Sequence, residues 1–221
     1  KKRAKPWKSG KVISICLRNG VYVLAQMVRD PYLVFFNHFN EENNWEGVTL
    51  KEEDILFCKA VTRQFLRYSP VTIVKEVNPL LEYELPKEWI YSHIGGHPMT
   101  VSVKGRERQV AGFGRRCSLV LADKDSGQPE DNPLMGLFQS YIISDIKEQD
   151  WDRVGQAELM SIEVFPTLNE RLYLCFLYGK NINPEQDISL GKPLPDDYET
   201  YIDILTNSPE ARRLYLGEHE E

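Results

Sequence analysis

Apolar positions in the first third of the chain fall in short alternating runs separated by turn residues. "KVISICLR" (11–18) alternates around Val12, Ile13, Ile15 and Leu17, and Arg18-Asn19-Gly20 is a turn of the kind that joins hairpin strands. "VYVLAQMVR" (21–29) reads as a second strand. Asp30-Pro31 reads as a turn, and "YLVFFNHF" (32–39) as a third strand. Three neighbouring strands with two tight turns make a meander, and one this apolar belongs to a core.

Farther on, Thr49 is placed to cap a short helical turn in "LKEED". "ILFCKAV" (55–61) and "TIVKEV" (72–77) read as strands, and "MTVSV" and "RQVAG" flank a hairpin turn at Lys104-Gly105. "CSLVLA" (117–122) is a strand. The polar stretch 123–133 reads as a linker or loop. A helix is expected to open near Pro133, with Leu134, Leu137, Phe138, Tyr141 and Ile142 on one face. "ELMSIEVF" and "RLYLCFLYG" read as strands. "LPDDYETYIDILTN" reads as a helix from the spacing of Tyr198, Tyr201, Ile202 and Leu205, and "SPEARRLYL" as a terminal helix with a Ser cap. The pattern predicts an α+β fold. A strand-dominated N-terminal antiparallel meander or partly closed barrel (1–122) precedes an acidic mixed α/β region (134–221), and the pattern is equally compatible with one compact domain.

Composition narrows the class. Of 221 residues, 42% are hydrophobic and 27% charged, ordinary values for a globular chain and unlike those of a disordered one. No apolar run reaches membrane-spanning length and no secretory leader pattern is present, which predicts a cytoplasmic protein without a membrane partner. The chain starts Lys-Lys-Arg rather than Met, so its very start is expected to be missing or processed. Cys16, Cys58, Cys117 and Cys175 lie far apart in or beside apolar runs, with no C-x-x-C pair, and read as reduced core thiols. Charge is unevenly spread along the sequence. Residues 1–116 carry 19 Lys+Arg against 12 Asp+Glu, and residues 117–221 carry 8 against 21. Such asymmetry is read equally as the mark of a charged partner or as two solvated faces.

Motifs for catalysis are weak. "HIGGHP" sets His93 and His97 four apart, but two glycines and a proline make it a loop rather than a ligand-bearing helix face. His38 reads as a satisfied strand histidine. "GFGRR" (112–116) has glycines but no G-K-[ST] and no helix after it. No serine elbow and no general acid–base pair stands out. The expectation is a protein that is not an enzyme, with no cofactor and no metal. The basic arm "KKRAKPWK" could touch phosphate, but the acidic total argues against nucleic acid as the main partner.

The stretch "KSGKVISICLRNGVYVLAQMVRDPYLVFFNHF" resembles the opening of the immunity protein 26 family of bacterial polymorphic-toxin systems. The features that match are Gly10, "VISICL", Asn19-Gly20, "VYVLAQMV", Asp30-Pro31 and "LVFF". "ILFCKAVTRQFLRYSPVTIV" is similar to that family's next strand and loop, and "PLLEYELPKEWI" to its proline-rich continuation, so the likeness covers about 90 residues. The resemblance implies an antitoxin-like protein that binds and neutralises a cognate toxin domain, one to one, without chemistry of its own. For contact with a basic toxin cleft, the acid–aromatic positions Asp150, Trp151, Asp152, Asp196, Asp197 and Glu199 are the candidates. The alternatives are a nucleic-acid- or peptide-binding module and an uncharacterised enzyme.

Overall fold

The computed structural model describes residues 6–95, 97–114, 116–121 and 140–216. In chain order its strands are β1 (Val12–Cys16), β2 (Tyr22–Met27), β3 (Tyr32–Asn40), β4 (Ile55–Val61), β5 (Val71–Val74), β6 (Glu88–His93), β7 (Met99–Val103), β8 (Arg106–Val110), β9 (Arg116–Leu121), β10 (Ser140–Ile143), β11 (Glu158–Leu159) and β12 (Ile162–Glu163). The helices are α1 (Arg63–Tyr68), α2 (Trp151–Val154), α3 (Thr167–Tyr178), α4 (Pro184–Ser189), α5 (Glu199–Leu205) and α6 (Pro209–Leu216). The fold is α+β, antiparallel-rich in its N-terminal part with most helices late. The 123–133 linker and the residues at the start of the helix expected from Pro133 lie outside the described residues. Tyr141 and Ile142, assigned to that helix by spacing, sit in β10 instead.

The chain forms two compact units. The first takes the described residues of Lys1–Glu84, Ser161–Asn183 and Asp197–Glu221, and the second those of Leu85–Met160 and Pro184–Asp196.

In the first unit six strands run in the order β12-β4-β3-β2-β1-β5, and the sheet stays open with β12 and β5 at its edges. The expected meander is its centre, with β1 to β4 antiparallel neighbours and β12 added parallel to β4. One face carries Ile13, Ile15, Val23, Ala25, Leu33, Phe35 and Phe57 onto Leu168, Leu172 and Cys175 of α3. The other face is also buried. Trp45 closes over it, donating from its indole N–H to Asn43, which also accepts from Ser14, and the Gln26 amide binds both the N–H and the C=O of Leu80. Strands covered on both faces have continuous rather than alternating apolar sequences, which explains Phe35 and Phe36 side by side with no exposed surface.

The largest departure from the sequence pattern is α3. "RLYLCFLYG" reads as a strand but forms the last turns of a helix that ends at Gly179, with φ 64°. Every residue from Thr167 to Cys175 is buried, so no polar face marks the helical period. Helices α1 and α4, six residues each, have no strong periodic signal and go unread in the sequence. Thr62 caps α1 by accepting from the Phe65 N–H. The turn before β4 is capped by Asp54 on the Lys51 N–H rather than by Thr49. The Ser208 cap on α6 forms as read, accepting from Ala211 N–H.

The second unit holds a four-stranded sheet in the order β10-β9-β6-β11 and the separate hairpin β7–β8. The hairpin turns at Lys104 (φ 51°) and Gly105 (φ 68°), the two positive angles that match strand twist in a two-residue turn. One face of the four-stranded sheet packs Ile90, Cys117 and Leu119 against Ile146, Val154 and Leu159.

Candidate functional site

The acid–aromatic positions fall in three places. Asp150, Trp151 and Asp152 form one turn of the second unit, where the Asp150 carboxylate accepts from the Lys147 N–H at 2.9 Å. Trp151 packs half-buried on that unit's core, and its ring centre lies 5.5 Å from the Lys192 ammonium. Asp152 is exposed. Asp196, also in the second unit, is exposed and accepts from the Lys104 N–H at 3.2 Å. Asp197 and Glu199 belong to the first unit. Asp197 is exposed and accepts from the Tyr178 hydroxyl at 2.9 Å, while Glu199 is half-buried at the start of α5. The structure thus sets Trp151, as expected, and, unexpectedly, Tyr178 beside the acids. Tyr198, by contrast, is 2% exposed and belongs to the core.

The charge split along the sequence is redistributed by folding. Among the described residues the first unit carries 13 Lys+Arg against 16 Asp+Glu and the second 8 against 10, because acidic late segments return to the basic N-terminal sheet. Negative potential is therefore local to the turns just described and is not a property of one whole unit.

A second group of charges, invisible to sequence spacing, lies inside the first unit. Lys59 on β4 and Arg171 on α3 have no exposed surface, and Glu163 on β12 has 5%. Lys59 donates to the Ser161 hydroxyl at 2.8 Å and lies 3.8 Å from Glu163. Arg171 lies 3.6 Å from the same carboxylate oxygen and donates to the Ile182 carbonyl and to Asn181. Its guanidinium stacks 3.6 Å from the Phe57 ring centre. A carboxylate flanked by two cations, which also bond to Ser161, Asn181 and the Ile182 carbonyl, fastens α3 and β12 to the sheet. The chemistry it performs is structural.

The histidines separate. His93 is the last residue of β6, so the part of "HIGGHP" expected to be loop begins after it, and His97 lies in that loop. The His93 Nε2 is 2.8 Å from the Ser118 hydroxyl, and that hydroxyl is 2.7 Å from the Ser144 carbonyl oxygen. A carbonyl can only accept, so Ser118 donates to Ser144 and accepts from the Nε2–H of His93. Ser118 has no exposed surface and its proton is committed. The pair is therefore an orienting hydrogen bond and not an activated nucleophile. Burial, then the Arg116 guanidinium, lower the His93 pKa below its usual value, with Asp145 opposing them. The ring is neutral at physiological pH. His38 pairs with Asp54 at 3.0 Å, a satisfied strand histidine. The "GFGRR" segment joins β8 to β9 and leads into a strand, so it lacks the helix that a phosphate loop requires.

A cleft of about 300 Å³ opens in the second unit along β7. Four consecutive β7 residues, Met99 to Ser102, line it, facing Gly191–Leu194. Side chains alternate across a strand, so a cavity touching all four runs along the strand's edge. Among the described residues, no group of three or more His, Cys, Asp or Glu is placed to hold a metal, and no helix is long and apolar enough to cross a membrane.

With these features in place, the comparisons concern the N-terminal part. The sequence model of a family described as Domain of unknown function (DUF8309) matches residues 1–106, which include all of the first unit's sheet except β12. No curated protein and no solved structure matches the chain.

Proposed function

We propose that the protein is an immunity protein, an antitoxin that binds and neutralises a cognate bacterial toxin domain delivered in contact-dependent or type VI-like competition. Binding is one to one in the cytoplasm, with no catalysis and no cofactor. The observation that supports the reading is the stretch from Gly10 to Phe36, which resembles the immunity protein 26 family in its turns as well as its strands. Here those features build the sheet centre: Gly10 takes φ 77°, Asn19-Gly20 makes the β1–β2 turn with φ 59° and 73°, and Asp30-Pro31 joins β2 to β3. These residues account for a scaffold, and the contact surface has to come from elsewhere.

The acid–aromatic turn Asp150-Trp151-Asp152 of the second unit and, taken by itself, the Asp197–Tyr178 pair of the first are each a candidate contact. Exposed carboxylates steer a basic partner and raise its association rate, and ring faces add contact area. A nuclease toxin, whose cleft is basic for its own substrate, suits either group of carboxylates. The test is co-expression with the polypeptide encoded next to this gene, followed by association kinetics against salt. Charge reversal at Asp150, Asp152, Asp197 and Glu199 is expected to slow association and flatten its salt dependence in a folded protein. If the neighbouring polypeptide neither harms cells nor binds this chain, the immunity reading fails. If it binds and the reversals change nothing, only the assignment of the surface fails.

A further inference from the structure

The β7–β8 hairpin of the second unit has two unlike edges. Its turn, Lys104-Gly105, holds two residues, so the flanking pair Val103–Arg106 is hydrogen-bonded. Bonded pairs then alternate along the register, as Val101–Arg108 and Met99–Val110. Thr100 and Ser102, which lie between them, turn their N–H and C=O groups away from β8. No hydrogen bond from the described residues reaches these four backbone groups. The next donor in the row, the Lys104 N–H, gives to the Asp196 carboxylate at 3.2 Å. That bond sets the chain after α4 alongside the β7 edge, and the cleft of about 300 Å³ opens between the two.

The opposite wall of the cleft, Gly191–Leu194, is not built to fill that row. The Gly191 N–H, on a residue with φ 69°, donates to the Ile188 carbonyl, and the Lys192 N–H to the Asp187 carbonyl. Both bonds close the end of α4. Pro193 has no N–H. Three successive wall residues thus have no donor to give. Charge also distinguishes the two edges of the hairpin. β8 carries Arg106, Glu107 and Arg108, charges of the kind that keep an edge from pairing, whereas Met99 to Val103 carries none. The charged residue of the cleft lining, Lys192, is paired with Asp187 at 3.0 Å. Met99, Val101, Ile188, Pro193 and Leu194 make most of the remaining lining apolar.

We infer that the β7 edge is a docking site for one extended, uncharged peptide segment of a partner protein, added as a third strand between β7 and Gly191–Leu194. Thr100 and Ser102 supply the donors and acceptors of a strand ladder, and the cleft takes the apolar side chains at every second position of the segment. Charge complementarity selects a neutral occupant: with Lys192 already paired, a charged side chain would lose water there and gain no partner. At about 3.4 Å per residue, the five residues of β7 match a segment of about five. A second copy fits less well, since its own β7 is flanked by its own wall and its β8 edge is charged. The inference stands apart from the toxin-binding reading, because none of the acid–aromatic positions lines the cleft.

The test is fluorescence anisotropy of the full chain with a labelled synthetic peptide, Gly-Ser-Thr-Val-Thr-Val-Thr-Ser-Gly, at concentrations up to about 1 mM. Saturable binding is expected, and a peptide with Glu in place of both valines should not bind. Methylating the amide nitrogens of alternate peptide residues along one edge should abolish binding, and along the other edge should spare it, because a strand added here pairs through one edge. Thr100→Pro removes an outward N–H that β8 does not use, and should weaken binding about ten-fold. Gln109→Pro makes the same change on the opposite edge and should retain it. Leu194→Glu, on the wall, should weaken binding while leaving the hairpin ladder alone. Melting curves establish that each variant is folded. On peptide addition the Thr100 and Ser102 amides should gain protection from hydrogen exchange. Absence of saturable binding overturns the site. Equal loss on methylating either edge, or binding unchanged by both Thr100→Pro and Leu194→Glu, overturns it as well, since apolar adhesion would then explain the affinity. A dimer of the full chain that Thr100→Pro disperses would make a second copy the occupant and overturn the partner segment.

Discussion

Arg18 and Glu170, 152 positions apart in the sequence, meet in a two-point hydrogen bond, Nε to Oε2 at 2.9 Å and Nη2 to Oε1 at 3.1 Å. The Arg18 guanidinium lies 3.6 Å from the Tyr173 ring centre, and the Tyr215 hydroxyl also donates to Glu170. The β1–β2 turn, α3 and α6 are thereby joined at one carboxylate that has no exposed surface.

Burial raises the Glu170 pKa above its ordinary 4.5, while the Arg18 and Tyr215 hydrogen bonds and the Arg18 charge pull it back down. A carboxyl with a raised folded-state pKa binds its proton more tightly in the folded chain than in the unfolded one. Its contribution therefore favours folding at low pH and is lost as pH rises from 4.5 through the folded-state value. Arg18→Met removes the compensating cation and should destabilise the protein by about 3 kcal/mol at neutral pH. The deficit should shrink as pH falls toward 4.5, because the folded-state Glu170, whose pKa is raised above that value, takes up its proton on the way. Urea melts at both pH values measure it, and a deficit that does not change with pH contradicts the assignment.

The buried group of Lys59, Glu163 and Arg171 should behave as a unit. Removing one member leaves an uncompensated charge in the core, so Arg171→Met or Glu163→Gln should each cost about 3–5 kcal/mol. Replacing all three with apolar residues of similar volume should cost less than the sum of the single changes. Arg171→Lys should not rescue Arg171→Met, because an ammonium cannot reach the Ile182 carbonyl, Asn181 and the Phe57 ring at once. Denaturant titration of the single and triple variants gives these values.

Where local chemistry decides the structure, the sequence is readable. The β1–β3 turns, the Lys104-Gly105 hairpin and the Ser208 cap all depend on neighbouring residues with distinctive backbone preferences, and all form as expected. Helix α3 does not announce itself because it is buried from Thr167 to Cys175, so its apolar run suits a strand equally well. Tyr141 and Ile142 are compatible with a helix face by spacing, yet pairing with β9 decides their conformation. At the candidate sites, the exposure of Asp152, Asp196 and Asp197 is what charged turn residues suggest. The contact of His93 with Ser118 and the meeting of Lys59, Glu163 and Arg171 arise from pairing across distant strands, which no local pattern encodes. The charge split along the sequence does not follow the two units for the same reason, since folding returns late acidic segments to the early sheet.

Gly114 is required by close packing rather than by its backbone angles. A Cβ built there would lie 2.0 Å from the His93 carbonyl oxygen and 2.9 Å from the Ser92 hydroxyl, which itself accepts from the Gly114 N–H. Neither backbone can yield without breaking the β6–β9 pairing, so Gly114→Ala should destabilise by about 3 kcal/mol or more. Gly95, with nothing within 4 Å and no positive φ, is the control. Gly95→Ala should stay within about 1 kcal/mol of the parent. Thermal melts of the two variants test this, and equal stabilities would refute the close approach.

The four cysteines should react in a fixed order set by burial. Cys58, Cys117 and Cys175 are buried, whereas Cys16 is half-buried and donates to the Leu17 carbonyl at 3.5 Å. The thiolate is the reactive form. Burial pushes the Cys117 thiol up to about 11, against a smaller lowering from Ser92. At neutral pH the native protein should therefore label at Cys16 first, and the other three should label together only on unfolding. A folded-state pKa above the unfolded one means that Cys117 holds its proton longer when folded. Its contribution to stability is present below the ordinary thiol pKa and declines as pH rises toward 11. Mass-spectrometric counting of modified thiols against time, in native buffer and in denaturant, separates the sites. Labelling of Cys117 at the Cys16 rate in native buffer would show that the β6–β9 core opens far more often than its burial implies.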